Sequence, residues 1–67
     1  MNIVYELEQK AIVCIERSNA VKSRDLRDKY HHKAVTYCDC VQYFTDDYDK
    51  YTCFDRLKKE ISEKEVV

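Results

Sequence analysis

Residues 30–51 read YHHKAVTYCDCVQYFTDDYDKY, and within them Tyr30, Ala34, Tyr37, Val41, Phe44, Tyr48 and Tyr51 recur at alternating steps of four and three. That spacing lays an apolar stripe along one face of a helix and turns it toward a neighbouring helix. The chain has 67 residues with neither glycine nor proline, so little in it opposes helix. The pattern predicts an all-α fold.

Outward from this seam, three helical segments emerge. The first is expected at about residues 2–18, where Val4, Leu7, Ala11, Cys14 and Ser18 keep the four-three rule and Ile3, Ile12 and Ile15 widen the stripe. Glu6 and Glu8 near its start and Arg17 near its end suit the helix dipole, and Ser18-Asn19 is the natural stop. The second is expected at about 20–44, with Ser23 as a candidate N-cap. Its apolar face is read as Leu26, Tyr30, Ala34, Tyr37, Val41 and Phe44, with Val35, Cys38 and Tyr43 off the stripe. Thr45-Asp46-Asp47 looks like an N-cap followed by acidic residues, so a third helix is expected at about 46–64, burying Tyr51, Phe54, Leu57 and Ile61. Because the seam crosses Thr45 in phase, one long helix over 20–64 and a helical hairpin form the alternative. Clustered Asp residues favour the break, and with it a small three-helix bundle in a single domain spanning 1–67.

A chain this short buries a thin core and gains from a metal, a disulfide or a partner chain. The start, Met1-Asn2-Ile3-Val4-Tyr5-Glu6, lacks the basic and apolar regions of a secretory signal. The expectation is therefore a cytoplasmic protein with reduced thiols. The longest uncharged apolar run, Ala11 to Ile15, is too short to span a bilayer, so no membrane association is expected.

His31, His32, Cys38, Cys40 and Cys53 invite a metal reading. Cys38 and Cys40 stand about 200° apart on a helix and cannot hold one ion together. The usual zinc spacings are absent, so no metal and no cofactor is expected, with Cys14 and Cys53 serving as small buried hydrophobes. Cys and His coexist, but a thin helical bundle offers no deep pocket to exclude water. A phosphate-cradling loop needs glycine. No catalytic residue is assigned, and the chain is read as a non-enzyme.

Charge is segregated. Residues 22–33 carry Lys22, Arg24, Arg27, Lys29 and Lys33 against Asp25 and Asp28, a balance of +3. Residues 36–55 carry Asp39, Asp46, Asp47, Asp49 and Asp55 against Lys50, a balance of −4. Five of the six tyrosines, Tyr30, Tyr37, Tyr43, Tyr48 and Tyr51, stand among these charges. Tyr43 and Tyr48 flank Asp46, Asp47 and Asp49, and tyrosine with carboxylate suits a basic protein surface.

The expectation is a protein-interaction module that binds and blocks a larger protein through Tyr43, Asp46, Asp47, Tyr48 and Asp49, and that self-associates as a homodimer. A phage-type antagonist of a bacterial host or defence protein is one such regulator, an origin suggested by chain size alone. Nucleic-acid binding through Lys22, Arg24, Arg27, Lys29 and Lys33 is the first alternative, held back by a pI near 6.1. A structural subunit of a larger assembly is the second.

Overall fold

The computed structural model of the chain describes residues 2–45 and 49–65. It is all-α, a three-helix bundle of α1 (Ile3–Ala20), α2 (Arg24–Gln42) and α3 (Lys50–Glu65). The break after the second helix is present, so the long helix over 20–64 does not form.

Each boundary has a local cause. Asn2 caps α1, its side chain accepting from the backbone N–H groups of Val4 at 3.1 Å and Tyr5 at 3.3 Å. Ser18-Asn19 does not stop α1, which continues to Ala20. The Ser18 hydroxyl is buried and donates to the Arg27 carbonyl at 3.1 Å, so it ties α1 to α2. Val21 is extended and ends the helix. Ser23 caps α2 as expected, accepting from Leu26 N–H at 3.5 Å. At the far end, Thr45 is not the cap of α3. Its N–H returns to the Val41 carbonyl at 3.1 Å, closing the turn that ends α2. The cap belongs to Asp49, whose carboxylate accepts from Thr52 N–H at 2.7 Å one residue before Lys50.

α1 and α2 form an antiparallel hairpin. The register that sets Ser18 beside Arg27 also brings Ala11 level with Ala34, and both alanines are fully buried. Small side chains there let the two helices approach closely. α3 lies across this hairpin. Its Cys53 meets Cys38, while the next residue, Phe54, reaches His31, seven positions away along α2. Arg56 engages Glu8 near the start of α1, while Phe54 and Lys58 share a cleft with Ile15 and Ser18 toward its end. Neighbouring faces of α3 thus address opposite ends of the hairpin, as a crossing helix requires.

The core comprises Ala11, Cys14 and Ile15 of α1, Ala34, Cys38 and Val41 of α2, and Cys53, Phe54, Leu57 and Ile61 of α3. Five of these ten are alanine or cysteine, so the core is thin. The α1 stripe is as expected except that Ile3 is exposed. The α2 stripe is corrected. Leu26 is 45% exposed and Phe44 59% exposed, whereas Cys38, read as lying off the stripe, is fully buried. Two neighbours share α2: Tyr37 faces α1 beside Val13 and Cys14, and the His31–Cys38 side faces α3. The buried line therefore turns to Ala34, Cys38 and Val41. Tyr30 and Tyr37 are half-buried. On α3, Phe54, Leu57 and Ile61 are buried, but Tyr51 is 61% exposed.

Among the described residues, no helix is long and apolar enough to cross a membrane.

Candidate partner-binding surface

The turn between α2 and α3 collects large apolar side chains that the core does not use. The helix closes through Tyr43 N–H to the Cys40 carbonyl at 3.1 Å and Phe44 N–H to the Val41 carbonyl at 2.9 Å. Val41 takes the last buried position, and the helical phase that would have carried Phe44 inward ends with Gln42. Tyr43, immediately after, is 81% exposed. Tyr51, on the first turn of α3, sits about 200° around the helix from the buried Cys53, which turns it outward. The Lys50 ammonium lies 5.2 Å from the Tyr51 ring centroid, within cation–π range.

Two carboxylates, Asp39 and Asp49, lie at the helix ends that carry these rings. Asp39 lines a shallow cleft of about 210 Å³ with Gln42 and Tyr43. Asp49 is exposed, and its hydrogen bonds, foremost the one from Thr52 N–H, hold its carboxyl below the usual carboxylate range. It is thus ionised as well as engaged in capping. Of the expected binding residues, Tyr43 and Asp49 are exposed here, whereas Asp46, Asp47 and Tyr48 lie outside the described residues. Asp39 joins Tyr43 in its cleft, and Phe44 and Tyr51 are further exposed rings at the facing ends of α2 and α3. The heptad seam concealed Phe44 and Tyr51 by placing them in the core.

The basic residues fall elsewhere. Lys22 precedes α2, in the connection after α1, and does not share a helical face with Lys29 and Lys33. Arg24, Arg27, Lys29 and Lys33 are exposed on α2. Arg27 turns back to donate to the Val21 carbonyl at 3.3 Å, and Lys33 lies 5.8 Å from the Tyr30 ring centroid. α3 adds Lys58, which lines a cleft of about 180 Å³ with Arg27, His31, Phe54 and the carboxylate-bearing Asp28. The His31 ring meets Phe54 edge-on, with centroids 4.7 Å apart. Local sequence spacing could not have joined Lys58 to this patch, because the contact depends on how α3 crosses.

The four cysteines are free thiols, and among the described residues no group of three or more His, Cys, Asp or Glu side chains converges as metal ligands would. No protein-family model, curated protein or solved structure matches this chain.

Proposed function

We propose that the chain is a non-enzymatic protein-interaction module, a small regulator or inhibitor that covers a functional surface of a larger protein. One observation carries this reading. Tyr43, Phe44 and Tyr51 are all more than half exposed at the α2–α3 turn, in a protein whose own core is short of large side chains. Exposed aromatic rings offer contact area at low entropic cost, and hot spots of binding favour them. Asp39, in the Tyr43 cleft, and the exposed Asp49 suit a partner with a basic rim. The same surface can pair two copies of the chain, so a homodimer is part of the proposal.

The test is retention of a partner from native cell extract by the wild-type chain and by a variant with Tyr43, Phe44 and Tyr51 changed to Ser. Support requires a protein held at defined stoichiometry by the wild type and lost from the variant while helicity is unchanged. Equal retention by both refutes the reading.

A second reading draws on the cleft where Arg27, His31 and Lys58 meet, which extends the basic side of α2 toward phosphate-bearing ligands. Nucleic-acid binding there requires salt-dependent retention on DNA or RNA that Arg24→Glu, Arg27→Glu and Lys58→Glu together remove.

A further inference from the structure

α3 covers the α1–α2 hairpin on one side only. Glu8 of α1 meets Arg56 there, and Ile15 shares a cleft with Phe54 and Lys58. Lys10 and Arg17 each follow one of these α1 residues by two positions, so they stand about 200° around the helix, on the far side. On that side a groove of about 350 Å³ runs between the two helices, lined by Gln9, Lys10, Val13, Cys14 and Arg17 of α1 and Tyr37 of α2.

The middle of the groove is apolar. Cys14 is buried, Tyr37 is half-buried, and the branched side chain of Val13 is 42% exposed in mid-helix. The two ends along α1 are cationic. Lys10 and Arg17 are exposed, and among the described residues neither has an ion-pair partner. Among the described residues no carboxylate lines the groove, and the first on this face of α1, by helical position, is Glu6, one turn before Lys10.

We propose that this groove docks an acidic amphipathic helix of a partner protein, laid along α1 and α2 on the face opposite α3. The match is one of spacing as well as charge. Lys10 and Arg17 are seven positions apart, ~10 Å along the helix axis. A docked helix meets both cations with two acidic residues at the same separation. Apolar residues at the third and fourth positions between them then fall on Val13 and Tyr37. A recess with an apolar middle selects a protruding side chain over the flat surface of a bilayer. A second copy of the chain would set Lys10 and Arg17 against their own kind, and like charges across an interface are repelled. The groove shares no residue with the aromatic turn, so the proposal stands apart from the function assigned to that turn.

The test uses the full chain and fluorescence anisotropy with a labelled helical peptide. The peptide carries two Glu seven positions apart, with Leu at the third and fourth positions between them, and its counterpart carries Lys in place of each Glu. The acidic peptide should bind roughly tenfold tighter than the Lys peptide. Val13→Ser should weaken its binding, and Lys10→Glu with Arg17→Glu should reverse the preference, with helicity of each variant checked by circular dichroism. Tyr43→Ser with Phe44→Ser and Tyr51→Ser should leave binding unchanged, which separates the groove from the α2–α3 turn. On the wild-type chain, amide chemical shifts of Val13, Cys14, Arg17 and Tyr37 should move on titration while those of Tyr43 and Tyr51 stay. Equal affinity for the two peptides, no binding at about 1 mM acidic peptide, or shift changes centred elsewhere would overturn the proposal. So would a chain that ignores the peptide but sediments with phosphatidylserine vesicles through Lys10 and Arg17, which assigns the face to a lipid surface. A dimer that Val13→Ser dissociates would overturn it as well, assigning the face to a second copy.

Discussion

Arg56 of α3 pairs with Glu8 of α1 across 48 positions of sequence, while its other terminal nitrogen holds Glu60 at 2.8 Å. Burial works against the guanidinium charge, but Glu8 and Glu60 together outweigh it and raise its pKa above the ordinary value. The Glu60 partner is local, one helical turn away, whereas the Glu8 partner fixes where α3 crosses the hairpin. The Arg56 and Glu8 side chains are 32% and 21% exposed, so water screens part of the attraction. A double-mutant cycle with Glu8→Gln and Arg56→Met should return a coupling of about 1 kcal/mol at low salt, shrinking in 1 M NaCl. Zero coupling at low salt would remove this pair from the forces that orient α3.

Among the described residues, Leu57 is the largest fully buried side chain and sits where α3 meets the hairpin. Leu57→Ala should cost about 2–5 kcal/mol, from lost transfer energy and the cavity left behind. In so small a domain that loss approaches the entire stability. Thermal melts followed by circular dichroism should show a collapse of Tm or an unfolded chain at room temperature. A shift of only a degree or two would mean that α3 contributes little to the fold.

Asp49 gives the fold an acid-sensitive end. Its folded-state pKa lies below the ordinary carboxylate value because Thr52 N–H donates to the ionised form. The stabilisation is therefore complete above the unfolded pKa of ~3.9 and disappears as pH falls through the lower folded value. Asp49→Asn keeps a capping oxygen but cannot titrate. The stability difference between wild type and Asp49→Asn should be constant above pH ~5 and change as the carboxylate protonates in acid. A difference that stays flat to pH ~2 would exclude a proton-linked cap.

Charge should decide which surface meets the partner. Combining Asp39→Lys with Asp49→Asn removes negative charge beside Tyr43 without deleting the α3 cap. Retention of the partner in affinity capture should fall at least tenfold, the equivalent of about 1.4 kcal/mol. Arg24→Glu with Arg27→Glu should leave it unchanged. The opposite pattern would move binding to the basic side of α2.

Residue spacing made the helices legible, along with much of the core. Ala11, Cys14 and Ser18 follow the four-three rule on α1, and all three are buried. Ser23 was readable as a cap because its hydroxyl acts within one turn. The α2 stripe was misread because periodicity ranks residues by size and one seam assumes one neighbour. With α1 and α3 both packed on α2, the small Cys38 goes inside while Phe44, beyond the end of the helix, stays outside. Of the proposed binding surface, Tyr43 and Asp49 could be named from aromatic and acidic composition. The Glu8–Arg56 pair and the meeting of Lys58 with Arg27 and His31 depend on the crossing of α3, which leaves no local mark in the sequence.

The most direct test replaces Tyr43 with the photo-crosslinking residue p-benzoylphenylalanine, with the same replacement at exposed Glu16 as the control. After irradiation in native cells, the expected result is one defined heterologous protein joined to position 43 and absent from position 16, with the adduct lost when Asp39→Lys and Asp49→Asn are added. Identical adducts from both positions, or no adduct at position 43, would contradict the assignment of the α2–α3 turn as the partner-binding surface.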